Sequence, residues 1–508
     1  MPLAQGMTLY HREIPDGSSP CTARELKLRA TSMQRADSMD ACATLRSEPG
    51  SFRDRNGRVF YSGTAVFRGL SNEALKQWQI LSATKFFRSF MRDGKLVRTE
   101  EVDPAGTLDS TETGQWAGLL RHETIPFISY PYEWSFGMLK DAALLQLELV
   151  RAALDEDWIL KDASAFNLQW VGTRPVFIDI ISFERLGVGE PWVGYRQFCQ
   201  LFLYPLLLQV YKDIPFQPWL RGSIEGIEPE HCANLMSVRD LLRPGVLTHV
   251  HLQAKLQARF ATTKADIRRE LRTGGFNKEL IKANVSRVTK LVQRLQWNPG
   301  KSQWSDYANK HNYTDSDHAL KAAFVRNVVG LRPWRLVWDL GCNTGSFSRI
   351  AAENARYVVA MDADQLAVDR LYHSLKSERH STILPLLINV ADPSPNLGWR
   401  GLERKALPER GKPDLALCLA LIHHLVISAN IPVKEFVDWL AGLGSALIIE
   451  FVTKQDPMVQ QLLRNKRDDY VDYSVEAFET CLADAFTIER RTMLASGTRL
   501  LYFGTPKL

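Results

Sequence analysis

From about residue 304 to residue 508, short apolar runs alternate with stretches of helical composition. The runs are Leu336–Asp339, Tyr357–Asp362, Ile383–Asn389, Asp414–Cys418, Ala446–Phe451, Phe486–Met493 and Arg499–Gly504. Strands separated by helices pair in parallel, because each crossover returns the chain to the same end of the sheet and lays its helix on a face. The last two runs follow one another too closely for a crossover and predict an antiparallel finish. The expected fold class is therefore α/β: a doubly wound, seven-stranded sheet with an antiparallel edge.

Ligands of such sheets bind beyond the carboxyl ends of the strands, where the strand order reverses. The stretch "VWDLGCNTGSFSRI", Val337–Ile350, runs from apolar residues into an acid, then a turn with Gly341 and Gly345, then a helix. Glycines there let the backbone turn sharply and approach a ligand closely. Asp362 ends the second strand, where an acid can accept both hydroxyls of a ribose. Asp392 follows the third strand, where an exocyclic adenine amine would be met. The third glycine of the dinucleotide fingerprint is missing, and no GxxxxGK[ST] is present.

With "DLGCNTG" (Asp339–Gly345), the acid Asp362 and the fourth-strand stretch "PDLALCLALIHHL" (Pro413–Leu425) in this order, the C-terminal segment resembles a class I methyltransferase. The resemblance implies a Rossmann-like sheet with S-adenosyl-L-methionine as cofactor. Its binding residues would be Asp339 near the ammonium, Gly341, Asn343 and Gly345 in the turn, and Asp362 and Asp392; no metal is called for. Methyl transfer is chiefly a matter of positioning donor and acceptor. An acceptor that must lose a proton needs a base, and histidine suits that task near neutral pH. His423 and His424, just after the fourth strand, are the catalytic candidates, with His423 foremost. Glu450, ending "ALIIEF", is the next. The absence of a [DN]PP[YF] sequence shifts weight towards oxygen, carbon or small-molecule acceptors, and no residue identifies the acceptor.

The rest of the chain divides into a polar segment over residues 1–50, expected to be poorly ordered, an α+β domain over 51–228 and a basic helical connector over 229–303, ahead of the methyltransferase-like domain at 304–508. Leu139–Leu154 carries apolar residues at helical spacing and predicts an amphipathic helix. In "LKDASAFNLQWVGTRPVFIDIISFE", Leu160–Glu184, Asp162 and Asn167 precede Asp179 at the end of an apolar strand. This spacing resembles the catalytic loop and metal-binding aspartate of kinase-like phosphotransferases, and implies magnesium and ATP. Departures are Lys161 before the first aspartate, Ile180 and Ile181 after the last, and Arg68 as the nearest substitute for the strand lysine. The whole layout resembles a bacterial host-specific nodulation-protein family, which implies modification of the cell surface or of signal molecules.

Composition narrows the classes. With 45% hydrophobic and 24% charged residues the chain is of globular type. Its formal net charge of +6 is concentrated between Lys255 and Arg294, where eleven Lys/Arg face three acids. Without interleaved aromatics, that stretch reads first as a solvated helical face, with a nucleic-acid surface as the less favoured alternative. The seven cysteines show no CxxC pairing or metal spacing. No signal peptide is read. The most apolar run, Phe198–Tyr211, is too short to span a bilayer and contains Pro205, so it predicts a buried helix pair or a kinked helix. A cytoplasmic, S-adenosylmethionine-dependent methyltransferase with an N-terminal domain that selects substrate or regulates is the leading expectation. A kinase-like phosphotransferase and a non-catalytic binding protein are the alternatives.

Overall fold

The computed structural model describes residues 45–103, 116–255, 277–299, 315–464, 466 and 470–507. In the C-terminal unit the seven apolar runs become β10 (Trp334–Leu340), β11 (Ala355–Asp362), β12 (Ile383–Leu387), β13 (Leu415–Cys418), β14 (Ala446–Val452), β15 (Phe486–Met493) and β16 (Arg499–Pro506). The sheet order is β12-β11-β10-β13-β14-β16-β15. The first five strands are parallel, and β16 lies antiparallel between β14 and β15. This is the Rossmann-like sheet with an antiparallel edge that the alternation predicts. Helices cover both faces, so central strands read as continuous apolar runs; β14 is buried at every position. The edge strand β15 instead carries Glu489, Arg490 and Arg491 outward, which discourages pairing with another chain. Strand order reverses between β10 and β13, which opens a crevice beyond their carboxyl ends.

The N-terminal unit begins with an antiparallel sheet in the order β1-β2-β3-β5-β4. Its strands are β1 (Arg46–Ser47), β2 (Gly57–Ser62), β3 (Ala65–Leu70), β4 (Thr99–Val102) and β5 (Gly118–His122), with two helices, Asn72–Leu81 and Lys85–Arg92, between β3 and β4. The helix Phe136–Asp155 follows, capped by Ser135, whose side chain accepts from the Met138 amide. Two small pairs come next: β6 (Trp158–Leu160) with β9 (Phe183–Arg185), and β7 (Leu168–Val171) with β8 (Arg174–Phe177).

The helix Phe136–Asp155 has the amphipathic form that the spacing predicts. Its buried residues, among them Leu139, Ala143, Gln146, Leu149, Val150 and Ala153, share one wide side, while Glu148, Arg151 and Asp155 stand exposed on the other. The helix Lys278–Arg294 supplies one covering layer, burying Ile281, Val285, Val288, Leu291 and Val292. Two lysines of that covering helix pair outward, Lys278 with Asp157 and Lys282 with Asp155, so part of the basic connector is a solvated face bound to acids of its own chain. Residues 256–276 of the basic stretch, and 1–44 of the polar segment, lie outside the described residues. The apolar run Phe198–Tyr211 lies in a continuous helical segment, Tyr195–Lys212, whose middle, Cys199–Leu203, is a π-helix. Pro205 lacks an amide proton and its ring crowds the carbonyl four residues back, so the wider turn absorbs it without breaking the helix. No helix among the described residues is long and apolar enough to cross a membrane.

One apolar core runs through both units and includes Phe127, Trp134, Trp170, Trp338 and Tyr372. Phe127 meets Trp338 edge-on at 6.2 Å, and Trp170 meets Tyr372 at 5.6 Å. Polar contacts pin the same seam. The Gly137 amide donates to Asp369 Oδ1 at 2.7 Å, the Gly172 amide donates to the Tyr357 hydroxyl at 2.9 Å, and Arg410 forks onto Glu133 with both side chains 1% exposed.

Candidate active site

A cavity of about 650 Å³ opens at the reversal of strand order. The ends of β10, β11, β12 and β13 supply Asp339 and Gly341, Asp362, Ile388 to Ala391, and Leu419 to Leu421 respectively. Two helices complete the wall with His318 and Lys321 on one side and His424, Leu425 and Ser428 on the other.

The turn after β10 is shaped by hydrogen bonding. The amides of Gly341 and Cys342 both donate to the Met361 carbonyl, at 2.8 and 2.9 Å, which folds the chain back on itself. Gly341, Asn343 and Gly345 take φ of 77°, 49° and 78°. Asparagine is among the few residues that tolerate this left-handed region. A side chain at Gly341 would meet Leu421 at 3.3 Å, on the cavity side, whereas one at Gly345 would meet Leu371 at 2.6 Å. Gly345 is therefore a packing and helix-start residue, and it does not line the cavity.

Asp339 is almost completely buried, and its Oδ2 accepts from Ser348 Oγ at 2.6 Å. Burial pushes its carboxyl up to about 6 despite that hydrogen bond, with the nearby Asp362 adding to the rise. Asp362 accepts the Asn343 amide at 2.7 Å and the Asp364 amide at 2.9 Å, and burial raises it too. Two carboxyls held above their ordinary range in one wall favour a cationic ligand, which would relieve the cost of ionising them.

His424 lies in the cavity wall, held down to about 4 by burial and then by the Arg499 charge, so its ring is neutral at physiological pH. His423 is fully buried behind it, with ring centres 4.1 Å apart. Neither ring nitrogen of His423 finds a hydrogen-bond partner among the described residues, and burial holds it well below the ordinary histidine range. The chain is already helical here, with His423 preceding the π-turn His424–Ser428. Consecutive helical residues point about 100° apart, so one imidazole faces the cavity and the other the core. The sequence expectation had ranked His423 first; its burial reverses that order.

Glu450 is also displaced from its expected role. It is fully buried beneath the cavity, ion-paired with Lys321 and accepting from Arg499 Nη1 at 3.2 Å. Arg499 Nε in turn donates to Asp456 at 2.7 Å. A carboxylate so deep persists only when neutralised in this way. Asp392, expected beside an adenine amine, instead forms a two-pronged ion pair with Arg221 of the N-terminal unit, at 2.8 and 3.0 Å. That pairing holds its carboxyl below the usual range, and the neighbouring Ile388, Asn389, Val390 and Ala391 line the cavity.

Lys321 was missed from the sequence. Its signal was a lysine on the inward side of the helix Asp315–Val329, where it is 3% exposed and stands 5.2 Å from the Phe347 ring.

The N-terminal constellation is also brought together. Arg68 Nη1 donates to Asp179 Oδ1 at 2.7 Å, and Ser182 Oγ hydrogen-bonds the other Asp179 oxygen. Asn167 Nδ2 reaches Ser182 Oγ at 3.4 Å, while Asp162 accepts the Ser164 amide at 3.0 Å. Burial and the neighbouring Asp179 raise the Asp162 carboxyl. Among the described residues, no group of three or more His, Cys, Asp or Glu side chains is arranged to hold a metal ion, and the cysteines are free.

No protein-family model matches the sequence. Among solved structures, the chain is similar to the N-methyltransferase NodS from Bradyrhizobium japonicum WM9 in complex with S-adenosyl-L-homocysteine: 13% identity, TM-score 0.30, covering 41% of this chain and 100% of that one. It is also similar to magnesium protoporphyrin IX methyltransferase (ChlM) from Synechocystis PCC 6803 with bound S-adenosylmethionine, with 18% identity, TM-score 0.27, and 42% and 88% of the two chains covered. Along the sequence, it is 35% identical over 457 residues to nodulation protein NoeA of Rhizobium meliloti (strain 1021), covering 89% of this chain and 94% of that protein. On that extent of identity, spanning both units and the seam between them, the chain belongs to the NoeA family of nodulation proteins.

Proposed function

We propose that the protein is an S-adenosylmethionine-dependent methyltransferase acting through the cavity at the reversal of strand order. The observation that carries this reading is the pairing of Asp339 and Asp362 in a wall with no phosphate cradle. A ligand with a ribose and positive charge, but no pyrophosphate, satisfies that wall. Asp362 would hold the ribose hydroxyls, Asp339 the ammonium, and Ile388, Val390 and Ala391 the flat face of the base. When bound, the cofactor supplies an electrophilic methyl group on a sulfonium.

The chain's own residues do the rest. Leu421, Leu425 and Leu462 line the remaining wall and exclude water from the reacting groups. His424, neutral and in that wall, takes the proton that an acceptor O–H or N–H must lose. Lys321 and Glu450 fix the floor. The N-terminal unit, welded to the same sheet, serves to select the acceptor or to regulate the site.

Calorimetry with S-adenosylhomocysteine tests the reading. The intact protein is expected to bind it, and Asp362→Ala to weaken binding by about 1–3 kcal/mol, the usual cost of losing a charged hydrogen-bond partner. Absence of binding by the intact, folded protein would overturn the proposal.

A further inference from the structure

The short helix Gln217–Gly222 belongs to the N-terminal unit, yet it touches both loops that would hold the adenosine half of the cofactor. At its start, buried Gln217 donates from Nε2 to the Trp134 carbonyl at 2.9 Å and accepts from Gln365 Nε2 at 3.1 Å. Gln365 begins the helix after Asp364, whose amide donates to Asp362 Oδ1 at 2.9 Å. At the other end of the helix, Arg221 forks onto the Asp392 carboxylate at 2.8 and 3.0 Å, and its Nη2 also reaches the Pro393 carbonyl at 3.4 Å. The next residue, Ser394, hydrogen-bonds Glu133, again of the N-terminal unit.

The chain from Ile388 to Pro393 forms no helix or strand. Within it the Ala391 and Asp392 amides both turn back on Asn389, at 3.0 Å each. Those bonds shape the loop but do not fix its distance from the cavity. A guanidinium fork does, because two parallel hydrogen bonds set orientation as well as distance. The pair is partly exposed, so it adds little to the stability of the fold. We propose that Arg221 is a positioning residue of the cofactor site, supplied by the N-terminal unit, and that it governs how well the site reads the adenine base. The inference rests on the methyltransferase reading above and extends it to the other half of the chain. Arg221 does not line the cavity; it acts through the loop whose Ile388, Val390 and Ala391 would meet the face of the base and whose Asn389 would meet its edge. A site that hydrogen-bonds an amine rejects a base lacking it, provided that the polar groups are held at the right distance.

Calorimetry on the intact chain tests this, with S-adenosylhomocysteine and S-inosylhomocysteine, in which a carbonyl replaces the exocyclic amine, as the two probes. Arg221→Met is expected to weaken S-adenosylhomocysteine binding about fivefold or more. It is expected to weaken S-inosylhomocysteine binding less, so that the preference for adenine narrows, while thermal unfolding stays nearly unchanged. Asp392→Asn should do the same from the other side of the fork. The double variant should bind no more weakly than either single one, because all three break one contact. Arg221→Lys keeps the charge but loses the fork, and should fall between parent and Arg221→Met. If the parent binds S-adenosylhomocysteine and the variants bind it equally well, the inference fails and the methyltransferase reading stands. It fails in the same way if Arg221→Met weakens both ligands by one factor, which marks a general loosening. A folded parent that binds neither ligand removes the reading and the inference together.

Discussion

Two groups of buried charge lie one above the other in the C-terminal unit, and they are built on opposite principles. Beneath the cavity, Glu450, Arg499 and Asp456, with Lys321 of the wall joined to Glu450, neutralise one another through direct ion pairs. In the cavity wall, Asp339 and Asp362 have hydroxyl and amide donors but no ion pair among the described residues, and burial lowers His424. The lower group has spent its charge on the protein itself. In the upper one burial is not offset in that way, which appears as raised carboxyls and a lowered imidazole. The contrast separates residues that hold the fold from residues that, on the reading proposed above, would meet a ligand, although all are similarly buried.

The sharpest way to break the contrast is to remove a charge from the lower group. Arg499→Met leaves Glu450 and Asp456 short of a partner, and denaturant unfolding should show a loss of about 3–5 kcal/mol. A loss below 1 kcal/mol would mean that the network is not structural. His424→Gln should do the reverse. Once an acceptor is known, the methylation rate should fall about 10²-fold or more, with unfolding and S-adenosylhomocysteine affinity nearly unchanged. His423→Gln, by contrast, buries an amide in the core and should show its effect in unfolding rather than in rate.

The smallest effect concerns Asp339 and pH. Its carboxyl is raised in the folded state, so the folded protein binds the extra proton. The contribution to stability is complete below about pH 4 and is lost as pH rises towards 6, on the order of 2 kcal/mol. Ligand affinity runs the other way: a cationic group needs the ionised form, so affinity should climb between pH 5 and 7 and level off above. Asp339→Asn should flatten both curves. A parent protein whose affinity does not change over that range would place the cation elsewhere.

The fold was legible because periodicity survives burial. The runs at Tyr357–Asp362 and Ala446–Phe451 are apolar enough, and spaced widely enough by helices, to define parallel strands without any knowledge of their neighbours. The site was legible only where it follows directly from a strand end. Asp362 is such a residue, fixed by where β11 stops. Asp392 stands five residues beyond β12, and its fate depends on Arg221, which is 171 positions away. His423 and His424 depend on whether the chain is extended or helical after β13, a difference of one turn that reverses which ring meets the cavity. The helix Phe136–Asp155 was legible in the same way as the strands: periodicity gives its apolar side, and contact with the other unit and with the helix Lys278–Arg294 accounts for how wide that buried side is.

The shared core bears on how this chain can vary. Trp338 and Tyr372 meet Phe127 and Trp170 directly, so neither unit finishes its interior alone. A gene fragment coding for only the C-terminal half would yield a protein with aromatic side chains facing water and Asp369 stripped of its Gly137 donor. Such a chain should aggregate rather than work at reduced capacity. The two halves should therefore behave as one folding unit, and heating should melt them in a single step.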